Sequence, residues 1–193
     1  LPDSCYRRKG VDPSRINSVV AITQDARDDD LLWVATIAGL LRFNKRTGDL
    51  RLFYHELSDE DRSYLGNSFT NLYLHRDGRL FLGSFSVASI FDPLTESFAL
   101  IGEDPALNPA FDVTPAALIT GLNPAFPFER VLAIVPKNAA ELWVTYEDGV
   151  AVYHTGKQRI SFIRRNNYEA GHHYGAWLVD EGGRLWNGTR KDG

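Results

Sequence analysis

The chain has 193 residues, a formal net charge of −4 and a charged fraction of 24%. An acidic balance argues against a nucleic-acid partner, because phosphate backbones are bound by basic surfaces. No run of residues approaches the roughly 18 apolar side chains of a membrane-spanning helix, so we expect no membrane insertion by this segment. The single cysteine, Cys5, can form no internal disulfide. Because the sequence contains no methionine, we expect that a signal peptide, a larger N-terminal region or both has been removed.

Short apolar segments separated by Gly, Asp and Asn turns recur along the chain and predict strands joined as antiparallel hairpins. Residues 1–16 contain one such segment, around residues 4–8. In chain order, further strands are predicted at residues 19–22, 32–36, 39–43, 50–53, 69–72, 80–84, 87–91, 97–100, 131–134, 142–146, 149–153, 159–163, 174–177 and 185–189. The most helix-like stretch, residues 115–120, lies in a proline-rich insert. The chain is therefore predicted to be all-β.

The strands form a repeated unit that is marked by one aromatic residue, followed within three residues by a small hydroxylated one. The aromatic positions are Trp33, Phe81, Trp143 and Trp186, at intervals of 48, 62 and 43 residues. Units of this size with four strands are typical of β-propeller blades, each covered by two neighbours. We therefore expect the aromatic residue to pack against the neighbouring blade. A β-sandwich is the alternative, but sandwiches rarely repeat every strand in order.

The units predict three complete four-stranded antiparallel blades plus a partial fourth, because the fourth unit has only two strands. The blades are expected at about residues 17–57, 66–102, 129–165 and 174–193, with residues 1–16 as an outer strand of another or the closing blade. Four blades are the minimum for closure, so we expect a sector of a larger propeller. A sector exposes an apolar blade face and open edges, which favours self-association or a homodimer.

The unit resembles the two-component regulator propeller repeat, which runs Asp-x-x-Gly-x-Leu-Trp-(Ile/Val)-Gly-Thr and then Gly-(Leu/Val) before an aromatic with Asp or Asn. The fourth unit matches this pattern at Asp180, Gly183, Leu185, Trp186, Gly188 and Thr189. The third unit departs from it at Thr145 and Tyr146, where the repeat has Gly-Thr. The resemblance covers roughly residues 14–193.

This resemblance implies a ligand-sensing region of a bacterial signal-transduction receptor of the two-component type. Such propellers typically lie on the periplasmic or extracytoplasmic side of the inner membrane, and some bind an oligosaccharide and pair as dimers. We therefore expect an oligosaccharide or another small polar ligand, and no cofactor. Any kinase or cyclase activity would belong to other parts of the parent protein, so this chain itself is not expected to be an enzyme.

Aromatic, amide and imidazole side chains cluster in the connection that leads into the fourth unit. The candidate ligand-binding residues are Asn167, Tyr168, His172, His173 and Tyr174. Binding residues concentrate on loops of rigid scaffolds, and these groups suit stacking and hydrogen bonding to a sugar. The alternative is a polar surface loop. No metal site is predicted here, because adjacent histidines in a strand point to opposite faces and no third ligand is evident.

An acidic turn, Asp25 to Asp30, could offer oxygen ligands to calcium, but its spacing does not fit the Asp-x-Asp-x-Asp-Gly calcium loop. A solvated hairpin turn is the preferred interpretation. The nucleophile, zinc and phosphate-loop signatures of common enzymes are absent from the sequence. The alternatives to a sensor are therefore a protein-interaction scaffold and, after it, a propeller lyase or hydrolase whose site is assembled from scattered residues.

Overall fold

The computed structural model describes residues 17–55, 66–85, 87–101, 130–146, 149–157, 159–165 and 174–189. Within these ranges the regular structure consists of fourteen strands. They are β1 (Val19–Gln24), β2 (Leu31–Thr36), β3 (Gly39–Asn44), β4 (Leu50–Phe53), β5 (Phe69–Leu74), β6 (Leu80–Ser84), β7 (Ala88–Asp92), β8 (Ser97–Leu100), β9 (Val131–Asn138), β10 (Glu141–Tyr146), β11 (Gly149–His154), β12 (Arg159–Arg165), β13 (Tyr174–Val179) and β14 (Leu185–Thr189).

The strands pair in chain order as antiparallel meanders. β1 to β4, β5 to β8 and β9 to β12 each form a four-stranded sheet, and β13 pairs with β14. We call these sheets blades 1 to 4. The predicted fold class is confirmed: three complete four-stranded antiparallel blades are followed by a fourth of which two strands are described. The hairpin connections follow from the short Gly, Asp and Asn turns between the apolar segments.

The first strands of the blades are neighbours in space. β1 contacts β5, β5 contacts β9, and β9 contacts β13. The blades therefore stand side by side around their first strands, which is the arrangement of a β-propeller sector. Within the described residues the sector is open, and its two end blades each have one face that no other blade covers.

An aromatic cluster fills the seam between blades 1 and 2. The ring of Trp33 lies 5.7 Å from that of Phe53 and 5.3 Å from that of Phe91, and Phe91 lies 4.8 Å from Phe98. Trp33 is 1% exposed, as expected for an aromatic residue that packs on the next blade. Tilted and edge-on pairs of this kind stabilise by about 0.5–1.5 kcal/mol each beyond their buried area.

At the seam between blades 2 and 3, a glycine leaves room for a side chain of the next blade. A Cβ added to Gly83 would lie 2.6 Å from Cγ1 of Val131. The hydroxyl of Thr70 donates to the carbonyl of Val131, and the amide of Ile134 donates to Oδ1 of Asn71 at 2.9 Å. The glycine of the repeat therefore serves the close approach of two blades here.

The seam between blades 3 and 4 is marked by the third aromatic position. Nε1 of Trp143 donates to the carbonyl of Gly183, in the turn between β13 and β14, at 3.3 Å. The φ of Gly183 is 75°, and an added Cβ would lie 3.2 Å from the carbonyl oxygen of Lys137. Gly78 holds the same position in blade 2, with a φ of 88° and Arg27 of blade 1 against it. The glycine three residues before the aromatic thus combines a left-handed turn with a seam contact.

A carboxylate holds the indole ring within two of the blades. Nε1 of Trp33 donates to Oδ2 of Asp25 at 2.6 Å, and Nε1 of Trp186 donates to Oδ2 of Asp180 at 3.0 Å. In blade 2 both partners change together: Phe81, which has no N–H, lies 5.7 Å from the ring of His75. The first acidic residue of the repeat is therefore a partner of the aromatic ring.

Candidate functional site

All four blades present the same kind of end to one side of the sector. At this end the first strand begins opposite the residue that ends the second strand. These cross-strand pairs are Val19 with Thr36, Phe69 with Ser84, Val131 with Tyr146 and Tyr174 with Thr189. The turns between second and third strands and the connections between blades emerge here, so we call it the linker face. The turns between first and second strands lie at the opposite face.

The connection that carries the predicted ligand-binding residues joins two strand ends at the linker face. β12 ends at Arg165 opposite Gly149, and β13 begins at Tyr174. Asn167, Tyr168, His172 and His173 lie outside the described residues, and the assignment of all five candidates stays a prediction. The strand register nevertheless sets both ends of their connection at the face where the other blade connections emerge.

A buried hydroxyl closes the turn between the second and third strands. Oγ1 of Thr36 donates to the carbonyl of Gly39 at 2.8 Å and accepts from the amide of Ala38 at 3.1 Å. Oγ of Ser84 makes the same pair of bonds with the carbonyl and amide of Val87, at 2.8 and 3.0 Å. The hydroxylated residue of the repeat is therefore a turn element, which the sequence pattern marked without showing its role.

The residue after each of these hydroxyls projects at the linker face and is bonded through its backbone. The amide of Ile37 donates to the carbonyl of Ser18 at 3.3 Å, and the amide of Phe85 donates to the carbonyl of Ser68 at 3.3 Å. The Phe85 side chain is 37% exposed. The turn thus uses the backbone for structure and leaves this side chain available to solutes.

Phe85 has a cationic neighbour that the sequence reasoning missed. The guanidinium carbon of Arg130, just before β9, lies 4.7 Å from the centre of the Phe85 ring. Nε of Arg130 is buried and has no hydrogen-bond partner among the described residues. A part-exposed aromatic ring beside a guanidinium suits a flat, hydroxyl-bearing ligand. The available sequence signal was an aromatic residue directly after the hydroxylated position of the second unit.

The connection between blades 1 and 2 is held at its base by an amide side chain. The Asn67 side chain accepts from the amide of His55 and donates to its carbonyl, both at 2.7 Å. The His55 ring stacks on Phe98, with centroids 5.0 Å apart and planes 5° apart. Burial lowers the pKa of His55, so this imidazole is neutral near pH 7. These contacts fix the two ends of a connection at the linker face.

At the opposite face, the acidic turn of blade 1 is occupied by its own neighbours. Oδ1 of Asp25 accepts from the amides of Arg27 and Asp28, at 2.8 and 3.1 Å. Oδ1 of Asp28 accepts from the amide of Asp30, and Asp30 pairs with Arg46 at 3.1 Å. No cluster of three or more His, Cys, Asp or Glu side chains suited to a metal ion occurs in the described ranges. The hairpin-turn interpretation accounts for these contacts.

A second ionic group at that face belongs to the packing of blade 2. Nδ1 of His75 lies 2.9 Å from Oδ1 of Asp77, and Arg79 pairs with Oδ2 of Asp77 at 2.7 Å. Burial opposes ionisation of Asp77, but hydrogen bonds from Arg79 and His75 outweigh it and hold the pKa of this carboxyl below its usual range. Burial against blade 2 raises the pKa of Tyr153 to about 12. The Tyr153 ring of blade 3 lies 5.5 Å from that of Phe81, so the ionic group lies beside the seam between blades 2 and 3, at the face opposite the linker face.

The fold is shared with extracellular domains of bacterial regulatory proteins. One is the extracellular domain of BT3049 from B. thetaiotaomicron, assigned as a hybrid two component system, with a TM-score of 0.61 and 17% identity over 96% of this chain. Another is that of BT4673 from the same organism, assigned as a one component system, with a TM-score of 0.61 and 17% identity over 89% of this chain. This chain covers 23% and 20% of those two chains.

A third similar structure is PorZ of Porphyromonas gingivalis, a bacterial surface component of the type-IX secretion system. Its TM-score is 0.53, with 15% identity over 89% of this chain and 24% of PorZ. No protein-family model and no curated protein matches the chain. At these identities, the likeness to solved structures establishes the fold. No helix long and apolar enough to cross a membrane occurs in the described part of the chain.

Proposed function

We propose that the chain is a ligand-sensing, extracytoplasmic propeller segment of a bacterial signal-transduction receptor of the two-component type. The observation that supports the proposal most is the propeller architecture shared with the extracellular domains of a hybrid two component system and a one component system. A propeller segment of this kind detects a ligand and transmits its presence, while any kinase or cyclase reaction takes place in another part of the parent protein. The chain itself then acts without catalysis or cofactor.

The chemistry of the linker face supports an oligosaccharide or small polar ligand. Phe85 offers a part-exposed ring with the Arg130 guanidinium beside it, and the connection that carries the predicted residues His172 and His173 joins two strand ends at the same face. Sugars present apolar ring faces and paired hydroxyls, which such groups recognise by stacking and hydrogen bonding. Binding across two blades would change how the blades pack, and it transmits a signal only if the ligand prefers one packing over the other.

The direct test is a thermal-shift screen of the full chain against a panel of neutral and acidic oligosaccharides, followed by calorimetry on any hit. A ligand at 100 times its dissociation constant stabilises by about 2.7 kcal/mol, which gives a readily measured rise in melting temperature. The double variant His172→Ala/His173→Ala and the single variant Phe85→Ala should each need at least ten times more ligand to reach the same rise in melting temperature. Leu94→Ala, at an exposed turn of the opposite face, is the matched control.

The outcomes separate the parts of the proposal. Stabilisation that survives both linker-face variants would remove these residues as the site. An absence of stabilisation by every oligosaccharide and small polar metabolite tested would contradict ligand sensing of this class. Protease accessibility of the parent protein in intact and permeabilised cells tests the location: cleavage only after the inner membrane is opened would contradict an extracytoplasmic position.

A second candidate function is a protein-interaction scaffold at the bacterial surface. It is favoured by the likeness to PorZ, a surface component of a secretion system with the same fold. A scaffold would bind another protein through the linker face without responding to small ligands. Cross-linking from a photoreactive residue placed at position 85 distinguishes the two, because a scaffold gives a discrete protein adduct that added oligosaccharide does not compete away.

A further inference from the structure

The pair of Phe85 and Arg130 departs from the repeat at the linker face. At the seam between blades 1 and 2, Oγ of Ser68 donates to the carbonyl of Ile37 at 3.0 Å. The register gives Phe85 and Arg130 the same two positions at the seam between blades 2 and 3, because one follows the hydroxylated residue of blade 2 and the other precedes β9. An aliphatic side chain beside a hydroxyl is therefore replaced by an aromatic ring beside a cation.

The Arg130 guanidinium has no counter-ion among the described residues. The two other half-buried arginines whose side chains are described each pair with a carboxylate, Arg42 with Glu96 at 3.0 Å and Arg79 with Asp77 at 2.7 Å. Arg130 is half-buried too, yet it pairs with no carboxylate of the described ranges, and its Nε is buried without a hydrogen-bond partner there. This cation is therefore partly removed from water without the anion that its equivalents in burial have.

An unpaired cation that is partly removed from water raises the free energy of the folded chain. An anion that accepts hydrogen bonds from the guanidinium offsets this cost, and such charge-assisted bonds are stronger than neutral ones. The ring centre of Phe85 lies 4.7 Å from the guanidinium carbon, and this side chain is 37% exposed. A solute that supplies the anion can therefore also cover an aromatic ring.

We propose that Phe85 and Arg130 recognise an acidic sugar, with a uronic acid carboxylate on the guanidinium and the sugar ring on Phe85. This inference rests on the proposed ligand-sensing function and assigns its ligand class. A planar carboxylate matches the planar guanidinium fork with two parallel hydrogen bonds. The chain has a net charge of −4, which disfavours a densely charged polyanion and favours a ligand with few charges.

The test is titration calorimetry of the full chain with uronic acid trisaccharides. The panel contains glucuronate, galacturonate, mannuronate and guluronate trimers, each compared with its methyl ester, which keeps the rings and removes the charge. A sulfated neutral trisaccharide is a further arm. One of the acids is expected to bind about tenfold or more tighter than its ester. This preference should shrink between about 20 mM and about 500 mM sodium chloride.

Three variants assign the preference to residues. Arg130→Gln should weaken binding of the acid about tenfold or more, to the level of the ester, and leave the ester unaffected. Arg130→Lys keeps the charge without the planar fork, so an intermediate loss is expected. Phe85→Leu removes the ring and should weaken acid and ester by the same factor. The matched control is Arg76→Gln, the same change at an exposed arginine of the opposite face, and it should bind like the wild type.

Stability of the ligand-free chain tests whether Arg130 already has an anion of its own. The proposal expects Arg130→Gln to be at least as stable as the wild type in urea unfolding at low salt, because an unpaired charge is removed. A loss of stability that high salt abolishes, and that Arg76→Gln does not show, would mean that a carboxylate of the chain pairs with Arg130. That result would overturn the proposal.

The binding outcomes separate this inference from the function on which it rests. Equal affinity for acid and ester, or an acid preference that survives Arg130→Gln, would overturn the assignment to acidic sugars and leave ligand sensing standing. Tighter binding of the sulfated trisaccharide than of every uronic acid would overturn the choice of a carboxylate. An absence of binding by all acidic and neutral sugars tested would contradict both proposals.

Discussion

A glutamate of blade 2 is expected to clamp blade 1, and its removal gives the sharpest test of seam energetics. Glu96, in the turn between β7 and β8, lies at a φ of 53°. Its carboxylate pairs with Arg42 at 3.0 Å and with Arg51 at 2.6 Å, both on blade 1. Gly48 occupies the corresponding turn of blade 1, at a φ of 76°. The chain therefore keeps a left-handed glutamate where a glycine would be unstrained.

The magnitude follows from these contacts. Each partly exposed ion pair contributes about 0.5–1 kcal/mol, so Glu96→Ala should lower the free energy of unfolding by about 1–2 kcal/mol. For a chain of this size, that corresponds to a fall of about 2–8 °C in melting temperature. Glu96→Gly also loses both pairs but relieves the left-handed strain, so it should be about 1 kcal/mol more stable than Glu96→Ala.

The assay is urea unfolding followed by circular dichroism, in low salt and in about 1 M sodium chloride, where charges are screened beyond about 3 Å. Gly48→Ala is the matched control. A Cβ at Gly48 meets no atom within 4 Å, so this variant measures the backbone cost alone, about 1 kcal/mol, with no salt dependence. The reasoning is refuted if Glu96→Ala is as stable as the wild type, or if its loss is the same at both salt concentrations.

Three further outcomes are expected. Gly83→Ala should lower the free energy of unfolding by about 1–3 kcal/mol, because it overpacks the seam between blades 2 and 3. Gly156→Ala, with no atom within 4 Å of the added Cβ, should be near neutral in urea unfolding, and equal effects would contradict the seam geometry. The Arg79 hydrogen bonds depress the pKa of Asp77 in spite of its burial, so the Asp77 carboxylate stabilises the folded chain above about pH 4 and this stabilisation is lost below that pH. Asp77→Asn should flatten the acid dependence of stability, and an unchanged pH curve would refute this role of Asp77. Burial raises the pKa of Tyr153 from 10.0 to about 12, so the free energy of unfolding should fall as the pH rises between those values. Tyr153→Phe should lessen this fall, and thermal melts across that pH range would measure it.

The blade architecture was predictable because its signals are local. Turn residues at short intervals and an aromatic at a repeating position define hairpins, and hairpins in unbroken order define blades. The hydroxylated residues Thr36 and Ser84 were also visible, although their bonds to the turn backbone were not. The pattern revealed the hydroxylated positions because each one acts within a single hairpin.

Contacts between blades were harder to predict because they join residues far apart in the chain. The Glu96 clamp depends on arginines 45 and 54 residues away, and the pair of Phe85 and Arg130 depends on how blade 3 follows blade 2. One signal was available: Glu96 stands where the first unit has Gly48. The candidate residues His172 and His173 lie outside the described residues, so their binding role stays a prediction.

The hydroxyl bonds that close the turns of blades 1 and 2 also affect how such a protein can diversify. Since Thr36 and Ser84 hold these turns with buried, local bonds, the turns do not depend on the side chain that follows. Ile37 and Phe85 differ in size and chemistry, yet their backbones make equivalent bonds. If the linker face binds a ligand as proposed, substitutions at these two positions would change what is bound while the turn bonds stay in place.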